Sequence, residues 1–75
     1  MSYAKFKKDS ERRTNLILKQ IRTLNIASNP YKYEYTKEDV DKIFKAIREA
    51  VGKSKKQFYN SLAEKELREQ QPFHF

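Results

Sequence analysis

Cysteine is absent from this chain of 75 residues, and glycine occurs once, at Gly52. Each absence closes off some chemistry. Without cysteine there is no disulfide, no thiolate metal site and no cysteine nucleophile. A chain this short must then draw its stability from helix packing or association. One glycine cannot build a glycine-rich loop that cradles phosphates. The only histidine is His74, on a tail expected to be mobile, and a mobile group does not hold near-attack geometry. The acidic residues Glu38, Asp39 and Asp41 sit among lysines on a helix surface, where charge pairing accounts for them better than acid–base work. Long apolar runs are missing too. The longest, Leu16-Ile17-Leu18, is far short of the roughly 20 residues that span a bilayer. The charged N-terminal segment has no apolar run behind it, unlike a secretory signal. The expectation is a soluble, cytoplasmic, non-catalytic protein. It needs no metal, cofactor or small-molecule substrate and has no membrane partner.

Positive charge is what the chain has in excess. Seventeen Lys and Arg face ten Asp and Glu, for a net charge of +7. The excess is uneven: residues 1–24 carry seven basic and two acidic groups, whereas residues 25–52 are neutral in balance. A smaller basic cluster follows at Lys53, Lys55 and Lys56. Such an excess attracts polyanions.

Apolar residues recur at helical spacing, which predicts an all-α fold. Residues 1–8 read as an N-terminal arm, with Asp9 or Ser10 capping a first helix over residues 10–24. Ile17, Ile21 and Leu24 form its dry side. Lys8, Arg12, Asn15, Lys19 and Arg22 gather on the other, with no acidic residue among them. Residues 25–35 form a tyrosine-rich connection. Ser28-Asn29-Pro30 supplies turn chemistry, and Tyr31, Tyr33 and Tyr35 alternate along an extended arm. Thr36 and Asp39 have the spacing of a capping box, with Asp in place of the usual Glu or Gln. They open a second helix over residues 36–66, with residues 67–75 as a tail. Val40, Phe44, Ile47, Val51, Phe58 and Leu62 hold one phase along it. The favoured reading carries this helix through Gly52. A break there would give three helices instead.

These elements predict a single small domain: an antiparallel helical hairpin of one short and one long helix, with flexible termini. A first helix of 15 residues covers only Val40 to Val51. Phe58 and Leu62 are left for the N-terminal arm, a second copy or another protein.

Two functions from different classes fit. The first is a small basic nucleic-acid-binding protein that contacts phosphates through Lys7, Lys8, Arg12, Arg13, Lys19, Arg22, Lys53, Lys55 and Lys56. The second is a protein-binding helical module, an inhibitor or accessory factor of bacterial, phage or mobile-element origin, with homodimerisation in prospect. Its contacts are Tyr31, Tyr33, Tyr35, Phe58, Leu62, Phe73 and Phe75, the last two on a tail with the makings of a short linear motif.

Overall fold

A computed structural model of the protein describes residues 2–70. The chain divides into two units, Met1–Tyr35 and Thr36–Phe75. The first holds helix α1 (Tyr3–Leu24) and a 3-10 turn (Asn25–Ser28), and the second holds helix α2 (Lys37–Gln70). There is no strand among the described residues, so the class is all-α.

Helix α1 begins well before residue 10. Ser2 is extended and its hydroxyl accepts the backbone N–H of Lys5 at 3.1 Å. The Ser2 carbonyl takes the Phe6 N–H, also at 3.1 Å. A serine cap of this kind satisfies one of the donors that a helix start leaves unpaired. Residues 3–8 are therefore helix, not an arm. Ser10, read from the sequence as a cap, lies inside the helix. Its hydroxyl donates back to the Phe6 carbonyl at 2.6 Å, as interior serines do. At the far end, the Asn25 N–H donates to the Arg22 carbonyl, a tightened bond that leads into the 3-10 turn.

The connection is more folded than an extended tyrosine arm. Asn29 organises it: its side-chain oxygen accepts the Tyr31 N–H at 3.0 Å, and its carbonyl accepts the N–H groups of Lys32 and Tyr33. This is the asparagine turn chemistry legible in Asn29-Pro30, and it bends the segment that alternation alone would leave straight. The Tyr35 hydroxyl then donates to the Ser28 carbonyl at 2.6 Å.

Helix α2 opens on the expected capping box. The Asp39 N–H donates to Thr36 Oγ1 at 3.2 Å, and the Thr36 N–H donates to Asp39 Oδ2 at 2.9 Å. These bonds to Thr36, backbone first, hold the Asp39 carboxyl below its usual 3.8, with a smaller contribution from the charge of Lys42. The helix runs unbroken through Gly52, which has no positive φ. It also continues past residue 66 into what was read as tail. Ion pairs one turn apart brace that end: Arg68 with Glu64 at 2.8 Å and Lys65 with Glu69 at 3.7 Å. Nearer the start, Glu38–Lys42, Asp41–Lys45 and Glu49–Lys53 have the same one-turn spacing, but none of these pairs is closed. Exposed lysines hold such contacts weakly.

Within each unit a single helix has no second layer on which to bury its apolar stripe. With α1 starting at Tyr3, that residue and Phe6 fall into phase with Ile17, Ile21 and Leu24. The α1 stripe is then about 32 Å long, and the α2 stripe from Val40 to Leu62 about 33 Å. The two stripes are nearly equal in length, because α1 is longer than the 15 residues expected. Residues 71–75, with Phe73, His74 and Phe75, lie outside the described residues.

A Cβ added at Gly52 meets no heavy atom within 4 Å. Gly52→Ala should therefore stabilise α2 by about 1 kcal/mol, seen as a higher melting temperature by circular dichroism. A lower one contradicts an unbroken helix. The capping box also gives a pH dependence. A carboxyl depressed on folding contributes stability above its unfolded value and loses it as pH falls through the folded one. The start of α2 should fray below the usual Asp39 value of 3.8, followed by amide signals of residues 37–40. Asp39→Ala should remove that response.

Candidate nucleic-acid interface

The unbroken α1 sorts its basic residues by face. Lys5, Lys8, Arg12, Asn15, Lys19 and Arg22 follow one another in alternating steps of three and four. At the pitch of an α-helix this makes one row within an arc of about 100°, about 26 Å long from Lys5 to Arg22. All six residues are exposed. None of the five cationic side chains has a hydrogen-bond or ion-pair partner among the described residues. No acidic residue lies within the arc. Glu11 and Asp9 flank it on opposite edges. The row presents only donors and positive charge, apart from the amide of Asn15.

Lys5 escaped the sequence reading because it lay in a segment taken as an arm. A signal for it was present: Ser2 is a good cap, and Tyr3 and Phe6 share the phase of Ile17 and Ile21. Two residues included in that reading do not join the row. Lys7 points to the other side, its Nζ 5.6 Å from the centre of the Tyr3 ring. Arg13 borders the opposite edge of the apolar stripe. Lys8 belongs to the row although its neighbour Lys7 does not, because successive residues on a helix diverge by about 100°.

The second basic cluster is dispersed for the same reason. Since α2 is helical through Gly52, Lys53 and Lys56 share the side away from Val51 and Phe58. Lys55 points elsewhere, its Nζ 5.7 Å from the centre of the Tyr59 ring. Adjacent in sequence, these three lysines do not form one patch.

The tyrosines fall into distinct settings. Tyr31 is 98 % exposed at the crest of the turn. Tyr33 carries the Lys32 ammonium 5.5 Å from its ring centre. Tyr35 spends its hydroxyl on the Ser28 carbonyl. They do not make a uniform stacking platform. Phe58 and Leu62 remain exposed in the α2 stripe, 59 % and 54 % respectively. Among the described residues no group of three or more His, Asp or Glu is arranged to hold a metal ion. No helix among them is long and apolar enough to cross a membrane.

Comparison of the chain with protein-family models, with curated proteins and with solved structures finds no significant match.

The hydroxyl contact of Tyr35 is the longest-range side-chain bond in the connection. Tyr35→Phe should speed amide exchange at Lys32 and Tyr33 while the helix signal of α1 stays unchanged. Unchanged exchange would mean that the Asn29 turn holds the connection alone.

Proposed function

We propose that this protein is a small, non-catalytic nucleic-acid-binding protein that engages phosphates through Lys5, Lys8, Arg12, Lys19 and Arg22. The observation that carries this reading is the α1 row itself: five cations on one helix face, unpaired among the described residues and with no acid among them. A solvated helix face ordinarily mixes both signs. On α2 acids and lysines alternate, whereas on α1 the two acids, Asp9 and Glu11, lie outside the row. Concentrated charge of one sign raises the local density of a polyanion and speeds its association. A reducing cytoplasm suits a cysteine-free chain.

We further infer that the two helices pair as an antiparallel hairpin, because all of the α2 stripe except Val51, which falls opposite Arg13, finds an apolar counterpart on α1. Aligned in opposite directions, Leu24 meets Val40, Ile21 meets Phe44, Ile17 meets Ile47, Phe6 meets Phe58 and Tyr3 meets Leu62. Both stripes are interrupted at the same level, Ser10 facing Ser54. A shift by four residues in either direction would set Ser10 against Phe58 or Ser54 against Phe6, which favours this register. The pairing leaves the cationic row on the far side of α1, free for ligand.

The second reading, a protein-binding helical module, draws on the exposed stripes, chiefly Phe58 and Leu62. It is favoured if the stripes pair between chains or on another protein.

Arg12→Gln and Lys19→Gln should each weaken binding to labelled oligonucleotides of any sequence, and each should lower the salt slope by about 1. Helix content should not change. No binding by the unaltered protein at low salt would overturn the nucleic-acid reading. Partner capture that survives both substitutions would support the protein-binding module. For the hairpin, the absence of native cysteine makes Ser10→Cys with Ser54→Cys a clean crosslink. Oxidation should give an intramolecular disulfide. A crosslinked dimer alone would move the pairing between chains, and no crosslink would rule out the register.

A further inference from the structure

We propose that the ligand of the α1 row is double-stranded DNA, with α1 lying in the major groove and its cations reaching the phosphates on both walls. The proposal rests on the reading of this row as a phosphate-binding face.

The first argument is what the row leaves out. Proteins that hold single strands combine a basic groove with aromatic rings on which bases stack. Lys5, Lys8, Arg12, Asn15, Lys19 and Arg22 include no aromatic residue. The two aromatics of α1, Tyr3 and Phe6, lie on the apolar stripe. A single strand laid along this row would find charge and nothing to stack on.

Shape supplies the second argument. An α-helix with its side chains is about 10–12 Å across, and the B-form major groove is about 12 Å wide. The row is not a single line of charge. It fans across the arc, with Lys5 near one edge, Arg22 near the other, and Lys8, Lys19 and Arg12 between. Charges at both edges can address both strands bordering a groove. A flat polyanion would use only the middle of the fan. The major groove of duplex RNA is too deep and narrow to admit side chains in this way.

The third argument is length. The row runs about 26 Å along a straight helix, somewhat less than one turn of B-form DNA at about 34 Å. Its cations thus stay within reach of the groove walls before the groove turns away.

The test is titration of the intact protein with labelled duplex DNA, single-stranded DNA and duplex RNA of equal length, each at two or more salt concentrations. Duplex DNA should bind about tenfold or more tightly than the other two, with a log–log salt slope near −4.5 if all five cations are used. Lys5→Gln should make the slope shallower by about 1, whereas Lys7→Gln, about 160° away around the helix, should leave it unchanged. Equal or tighter binding to single strands or to duplex RNA overturns the choice of ligand but leaves the phosphate-binding reading standing. Equal effects of Lys5→Gln and Lys7→Gln overturn the helical row in favour of diffuse charge. No binding to any of the three overturns both.

Discussion

The bond from the Lys5 N–H to the Ser2 hydroxyl sets the start of α1, and the rest of the first unit follows from that start. Helical phase is cumulative: once the first turn is closed, each side chain's direction follows from its distance to it. Starting at Tyr3 brings Tyr3 and Phe6 into the apolar stripe and Lys5 into the cationic row. Starting at Ser10 would leave all three on an arm of undefined direction. A single cap thus adds two apolar residues to one face and a charge to the other.

The same principle governs α2, but through continuity. Gly52 is the one position where the backbone has freedom to depart from the helix, and it does not depart. The favourable box at Thr36 and Asp39 and the ion pairs near the other end hold the flanking turns, so the cost of one glycine is absorbed. Two consequences follow. The apolar stripe stays in phase from Val40 to Leu62, and Lys55 is sent to a different side from Lys53 and Lys56. Continuity creates the stripe and disperses the charge cluster in one step.

The two helices therefore differ in how they distribute their charge. In α1 the cationic row and the apolar stripe lie on opposite faces. Along α2 both signs of charge share the polar surface, and the coherent feature is its stripe.

Much of this was legible in the sequence by itself. The all-α class, the Thr36–Asp39 cap, the turn at Asn29 and the absence of acid beside Lys8, Arg12, Lys19 and Arg22 depend on local spacing, and local spacing survives in a linear string. Three-dimensional structure decided the rest: the start of α1, the folding back of Tyr35 onto Ser28, and the sorting of the basic residues into those of one row and those outside it. Lys7 and Lys8 are adjacent letters of the same charge, and only a helix of known beginning turns one toward Tyr3 and the other into the row. Composition sums charge without direction, whereas a helix assigns each charge to a face.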